Sequence, residues 1–226
     1  MESVDILLTE DGSHTLYSNK FNAAYHSHRG AVNESMIVFI QAGLEYFREK
    51  NPGKHIFVFE MGFGSGLNAL LSCQFSQQNL VTVDYTAVEA FPVSKDIWQS
   101  LNYHDDDESK TLFYSLHSCP WNTREIISPF FSIEKKEGKL ESFENTSLFD
   151  IIFYDAFAPG TQPELWEENM MQKMYDMLNE GGIMTTYCAK GDVKRALKKV
   201  GFTIESLPGP IGKREIIRAI KPKLTH

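Results

Sequence analysis

The chain has 226 residues, 42% of them hydrophobic, 23% charged and 12% aromatic, with a formal net charge of −8. That balance supports one good core and excludes a disordered or low-complexity chain. Net acidity argues against a nucleic-acid partner as a whole-molecule property, but the charge is unevenly placed. Residues 187–226 hold ten Lys or Arg against three Asp or Glu, a local +7, which leaves −15 on the rest. The N-terminus, with Glu2, Asp5, Glu10 and Asp11, has neither the basic nor the apolar region of a signal peptide. No apolar run is long enough to span a bilayer. Cys73, Cys119 and Cys188 match no paired metal-ligand spacing. The expectation is a cytoplasmic protein with free thiols, no membrane partner and no metal.

In chain order, residues 4–17 read as two short strands around Asp11-Gly12, a hairpin signal. A polar stretch follows and contains Tyr25, His26 and His28, a segment that could fold over a ligand or touch a nucleic acid, although a lone histidine more often does neither. Ile37, Ile40, Leu44 and Phe47 recur at helical spacing, and Pro52-Gly53 stops that helix. From there strands and helices alternate. Strands are expected over residues 55–60, 81–89, 130–135, 149–154 and 183–187, with helices over 67–77, 93–101, 111–117, 164–178 and 192–200. The acidic stretch from Asp105 to Lys110 carries no clear pattern. Two final strands, 202–207 and 215–220, have no helix between them. This alternation predicts an α/β fold, a doubly wound and mostly parallel sheet with an antiparallel C-terminal edge strand. Residues 1–53 read as an N-terminal extension of hairpin and helix packed on a core domain of residues 54–226.

Three positions carry chemistry. The strand ending at Phe59 runs into Glu60-Met61-Gly62-Phe63-Gly64-Ser65-Gly66, at the carboxyl end of a strand, where open α/β sheets bind ligands. Glycines there let backbone approach a ligand closely. The dinucleotide fingerprint needs a further glycine three residues after the second, and position 67 is Leu. The pattern is that of class I methyltransferases, so Glu60, Gly62, Phe63, Gly64, Ser65 and Gly66 are expected to hold S-adenosylmethionine, although a plain tight turn would account for the loop alone. Glu89 closes the next strand, 23 residues after Gly66, where a carboxylate accepts hydrogen bonds from both hydroxyls of a ribose. Asp155 follows the apolar strand Ile151-Ile152-Phe153-Tyr154, which is expected to lie beside the first strand. An acid there faces the reactive end of the ligand and suits an amine acceptor, whose nitrogen must present a lone pair in line with the methyl carbon.

Asp155-Ala156-Phe157-Ala158-Pro159, followed by Gln162-Pro163-Glu164-Leu165-Trp166, resembles the signature of the methyltransferase domain of the bacterial MnmC family. The glycine loop through Asn68, Glu89-Ala90-Phe91-Pro92, Gly30-Ala31-Val32-Asn33-Glu34-Ser35 and Gly212-Lys213-Arg214-Glu215 extend the likeness over nearly the whole chain. The resemblance implies a class I S-adenosylmethionine-dependent methyltransferase with a Rossmann-like fold. It further implies transfer of one methyl to the amine of 5-aminomethyl(-2-thio)uridine at the tRNA wobble position. Asp155 would be both catalytic and cofactor-binding. Phe157 and Pro159 would wall in the acceptor, and Lys194, Lys198, Lys213 and Arg214 would contact tRNA, with no DNA partner. Fused family members add a flavin-dependent oxidase domain, for which this chain is too short, so FAD is not expected. Many relatives also carry a Gly-Asp pair after the third strand, where this chain has Gly138-Lys139, so no adenine-contacting residue is assigned. An aminopropyltransferase or another small-group transferase on the same fold, and a non-catalytic binding scaffold, are the alternatives. The first calls for an acidic acceptor pocket and the second for damage in the three loops.

Overall fold

The computed structural model describes residues 4–144 and 147–223. Strands β1 (Val4–Leu8) and β2 (His14–Ser18) pair antiparallel with Leu8 opposite His14, and β3 (Ala23–Ala24) adds a third strand against Tyr17 and Ser18. One continuous helix follows, α1, with α-helical Ala31–Ser35, π-helical Met36–Glu45 and α-helical Tyr46–Lys50. The remaining elements are β4 (Ile56–Met61), α2 (Leu67–Asn79), β5 (Val83–Glu89), α3 (Lys95–Trp98), α4 (Asp107–Ser118), β6 (Arg124–Ser128) and β7 (Phe131–Glu137). After these come β8 (Phe149–Tyr154), α5 (Glu168–Met177), β9 (Leu178–Thr186), α6 (Gly191–Lys199), β10 (Thr203–Pro208) and β11 (Glu215–Ile220). Single 3₁₀ turns cover Leu140–Ser142 and Pro163–Trp166.

The main sheet has eight strands in the order β10-β11-β9-β8-β4-β5-β7-β6. Pairings from β9 through β8, β4 and β5 to β7 are parallel, which requires helical crossovers and buries both faces. The alternation of side chains makes two separate cores. Ile56, Val58, Tyr85, Ile151 and Phe153 face α1, α2 and α4, while Phe59, Val88, Ile152, Tyr154 and Met184 face α5 and α6. Helix α1 is therefore a layer of the sandwich. Phe39 packs on Phe153 with ring centroids 5.1 Å apart, and Arg218 Nη1 on β11 donates to the Ala42 carbonyl at 3.1 Å.

Four features differ from the sequence reading. The C-terminal strand β11 is antiparallel as expected, but it lies one place in from the edge, between β9 and β10. The connection 209–214 is short enough only for a hairpin, so β11 folds back beside β10 and inserts against β9. The opposite edge carries an unforeseen strand, β6, antiparallel to β7. Its sequence Arg-Glu-Ile-Ile-Ser lacks clean alternation, and Ile126 points into solvent. The acidic stretch is the start of α4. Asp106 caps it through Ser109 N–H at 2.6 Å, and Asp107 and Glu108 occupy the first turn, where the helix dipole favours negative charge. Strand β9 also begins earlier than expected and runs through Gly181-Gly182, with a register shift against β8 between Phe149 and Ile151.

Gly43 in α1 is where the helix meets the sheet. A Cβ there would stand 2.9 Å from Phe153 Cε1, and that ring is fully buried between Phe39 and Tyr85. Alanine at an ordinary helix position stabilises by about 1 kcal/mol relative to glycine. Here overpacking outweighs propensity, so Gly43→Ala should destabilise by about 1–3 kcal/mol. Chemical denaturation checks this as a lower midpoint with an unchanged slope.

Candidate active site

Strands β5, β4 and β8 lie side by side, and the carboxyl end of each carries one piece of the site. β4 runs into Gly62–Gly66, β5 ends on Glu89 and β8 runs into Asp155. The chain leaves β4 toward one face and β8 toward the other, which opens a crevice at the switch point. A cavity of about 270 Å³ fills it, and the 21–26 segment closes over its mouth with Phe21, Tyr25 and His26.

The glycine loop is shaped by close approach. Gly62, Gly64 and Gly66 have φ of 90°, 50° and 74°. A Cβ on Gly62 would lie 3.2 Å from the Asp155 carbonyl oxygen, and one on Gly64 would lie 3.1 Å from the Tyr25 ring. Backbone approach of this kind is open only to glycine. Phe63 and Ser65 contribute to the wall but are themselves buried. The Phe63 ring packs edge-on against His117 and Trp121, and His117 Nε2 lies 3.1 Å from the Ser65 carbonyl. Burial holds the His117 imidazole down to about 3, so it is a neutral structural donor.

Glu89 ties the loop to its own strand. Its Oε2 accepts from Gly64 N–H at 2.9 Å and its Oε1 from Phe91 N–H at 2.7 Å. A carboxylate oxygen can accept more than one hydrogen bond. The loop and Glu89 together form a cradle on one side of the cavity.

Asp155 sits across the cavity from Glu89. Its N–H donates to the Met61 carbonyl at 3.3 Å, and its Oδ2 accepts from Asn68 Nδ2 at 3.0 Å. Burial, followed by the charge of Glu34, pushes its carboxyl up to about 7, against the pull of the Asn68 hydrogen bond and Lys213. A carboxyl that exchanges its proton near neutral pH suits general acid–base work. The Phe157 ring forms the adjoining wall with Phe21 at 5.0 Å and Tyr25 at 5.2 Å. The Tyr187 hydroxyl donates to the Ala156 carbonyl at 2.8 Å, fixing the loop after Asp155.

Several expected site residues lie elsewhere. Glu60 is off the cavity wall, fully buried behind the loop near Asn68 of α2 and Tyr85 of β5, where burial raises its carboxyl well above the ordinary range. Pro159 is off the wall, whereas Tyr25 and His26 line it and His28 is exposed. Burial lowers the His26 imidazole to about 4, so it is neutral at pH 7. Lys213 turns inward, pairing with buried Glu34 and lying 3.8 Å from the Tyr187 ring centroid. Lys194 is engaged by Glu215 at 2.7 Å and Ser206 at 3.0 Å. Lys198 and Arg214 are exposed. Among the described residues no group of three or more His, Cys, Asp or Glu is arranged to hold a metal, and no helix is long and apolar enough to cross a membrane.

Sequence reasoning left unassigned the residues that complete the site. Asn68 holds Asp155, and its place just after the glycine loop was the available signal. Lys20, Phe21 and Tyr187 reach the cavity from distant segments that carry no motif, Phe91 lies in the Glu89–Pro92 segment but had no role assigned, and the 138–141 turn also lines the cavity.

Residues 125–222 match a family described as S-adenosyl-L-methionine-dependent methyltransferase. A tRNA 5-methylaminomethyl-2-thiouridine biosynthesis bifunctional protein MnmC from Pseudoalteromonas atlantica is 29% identical over 97% of this chain. That match covers 34% of the relative, so the chain spans about a third of the length of the curated relatives it matches. The crystal structure of MNMC2 from Aquifex aeolicus superposes with a TM-score of 0.80 at 22% identity, covering 100% of this chain and 73% of that one. Spermidine synthase from Thermotoga maritima follows with 0.60 at 15%, covering 98% and 70%. The fold is that of S-adenosylmethionine-dependent methyltransferases, and the MnmC resemblance drawn from the Asp155–Trp166 signature is met by these relatives.

Raising a carboxyl has a cost in stability that depends on pH. The folded Asp155 keeps its proton up to about 7, whereas the ordinary value is 3.8. Between those values the unfolded chain has released a proton that the folded chain retains, so wild-type stability falls as pH rises through that window. Asp155→Asn removes this decline while keeping an acceptor oxygen. Its stability relative to wild type should therefore increase from pH 4 to about 7 and level off above, as thermal denaturation across that range would show.

Proposed function

We propose that this chain methylates tRNA, transferring a methyl group from S-adenosylmethionine to the amine of 5-aminomethyl(-2-thio)uridine at the wobble position to give 5-methylaminomethyl(-2-thio)uridine. One observation carries the reading. Asp155, a carboxyl that titrates near neutrality, stands beside the glycine cradle and an aromatic wall in one cavity. Bound in that cradle, S-adenosylmethionine supplies a methyl on a sulfonium, an electrophile that needs only an in-line lone pair. Gly62 and Gly64 admit it, and Glu89 accepts from its ribose hydroxyls. Phe21, Tyr25 and Phe157 flank a planar base and keep water from its amine. Asp155 accepts an N–H of that amine, which turns the nitrogen lone pair toward the methyl, and takes up the proton that an ammonium must lose.

The test is to incubate the protein with S-adenosylmethionine and tRNA from cells lacking the activity, then analyse nucleosides by mass spectrometry. 5-Methylaminomethyl(-2-thio)uridine should appear. A parallel reaction with decarboxylated S-adenosylmethionine and putrescine should yield no spermidine, and the opposite pattern would replace this reading with aminopropyl transfer. Wild-type turnover should rise with pH through about 7 as Asp155 ionises. Asp155→Ala should lose roughly a hundredfold or more, the expected cost of lost orientation. If positioning dominates, Asp155→Asn should retain appreciable turnover. If proton removal dominates, both variants should fall together and recover partly at higher pH. Wild-type turnover by Asp155→Ala at saturating substrates would remove Asp155 from the chemistry.

Binding to RNA divides along the exposure of the basic residues. Lys198 and Arg214 face solvent, whereas Lys194 and Lys213 are held in ion pairs. Replacing Lys198 and Arg214 by Ala should flatten the log–log salt dependence of tRNA affinity by about 0.7–0.9 for each phosphate left without its cation. Lys213→Ala should instead lower thermal stability, because it leaves the Glu34 charge buried without its cation. An unchanged salt slope in the double variant would place the RNA surface elsewhere.

A further inference from the structure

Behind the cavity wall three side chains sealed from solvent carry polar atoms that find no partner among the described residues. Glu60 on β4 is fully buried, and both of its carboxylate oxygens are of this kind. Tyr85, on the adjacent strand and the same face of the sheet, has a buried hydroxyl that is also unpartnered. Asn68, in the first turn of α2, gives Nδ2 to Asp155 at 3.0 Å, but its Oδ1 is buried with no donor.

An ionised Glu60 only accepts hydrogen bonds. It would leave Asn68 Oδ1 without a donor and add a third negative charge near Asp155 and Glu89, the two charged groups that act on it, both acidic. A buried acceptor facing another acceptor is costly, and a buried unpaired charge more so. A neutral carboxyl has one O–H donor and one carbonyl acceptor, which match the vacant Asn68 Oδ1 and the Tyr85 hydroxyl. We propose that Glu60 is held as the neutral carboxylic acid and donates its proton to Asn68 Oδ1, making it a positioning residue for Asp155. The chain of donors then runs from Tyr85 to Glu60 to Asn68 to Asp155. Its consequence is directional. Asn68 can turn either its amide or its carbonyl toward Asp155, and the Glu60 hydroxyl selects the amide. The Asn68 hydrogen bond opposes the effect of burial on the Asp155 carboxyl, so the buried acid on β4 helps set the pH at which the catalytic acid ionises.

The first measurement reads the protein without substrate. At a pH well above the Asp155 titration, the infrared difference spectrum of wild type minus Glu60→Gln should contain the carbonyl stretch of a protonated carboxyl. Absence of that band overturns the proposal. The second measurement, which rests on the methyl-transfer reading, compares turnover. Glu60→Leu removes the donor and should lower kcat by roughly tenfold to a hundredfold, the range for a misplaced catalytic group. KM for S-adenosylmethionine should change less than kcat, and the pH midpoint should move upward. Glu60→Gln keeps an N–H donor and should recover most of that loss. If Gln is as impaired as Leu, the site needs an ionised carboxylate and the proposal fails. If Leu turns over at the wild-type rate, the positioning role fails. Should Leu not fold, the infrared band and the Gln pH profile decide. A protein that shows the band but no tRNA methylation keeps this inference and loses the functional one.

Discussion

The site depends on how closely the backbone after β4 approaches the backbone after β8. The Asp155 N–H donates to Met61, and the Gly62 Cα faces the Asp155 carbonyl with room for no side chain. This hydrogen bond extends the parallel pairing of the two strands by one step beyond Tyr154. It places the Asp155 carboxyl against the glycine loop. Glu89 makes the matching bond on the other flank through Gly64 N–H. Both draw on backbone N–H groups at strand ends, so the relative positions of the loop, Glu89 and Asp155 are set by the rigid sheet.

Electrostatically the site is an acid cluster with little local compensation. Asp155 and Glu89 act on Glu60, Glu34 acts on Asp155, and Lys213 pairs directly with Glu34. Glu89 is relieved by backbone N–H groups. Asp155 and Glu60 are instead pushed toward their neutral forms by burial. A site so arranged favours a cationic ligand, which supplies the missing positive charge, over an anionic one.

The basic C-terminal segment serves the fold more than its count suggests. Arg218 lies buried against Tyr46 and pairs with Glu205, Lys221 donates to the Tyr175 and Leu178 carbonyls at the end of α5, and Lys213 joins Glu34 under Tyr187. Lys173 is likewise bound to the Leu140 and Glu141 carbonyls beside the cavity. Lysine and arginine stems pack well along apolar surface while the head finds an acceptor, so a charge tally overstates what remains for a polyanion.

Local pattern determined a good deal here. The alternation of apolar runs with helical periods specified the strands β4, β5, β8 and β9 and the doubly wound class. The glycine loop, Glu89 and Asp155 were legible because each follows an apolar strand, and strand ends in such sheets converge on one crevice. The Asp155–Trp166 signature carried the family resemblance. Tertiary structure alone decided the rest. Strand β6 has no pattern of its own and exists because β7 offers an edge to pair with. The insertion of β11 beside β9 is a choice of neighbours, to which hydrophobic periodicity is blind. Phe21, Tyr25, Asn68 and Tyr187 converge across more than a hundred residues of chain, and Glu60 belongs to the loop by sequence but to the core by side-chain direction. Spacing along a strand tells which face a residue takes once the register is known. What lies on that face depends on the layer packed against it, and α1 and α2 turned the side of β4 that carries Glu60 into the interior.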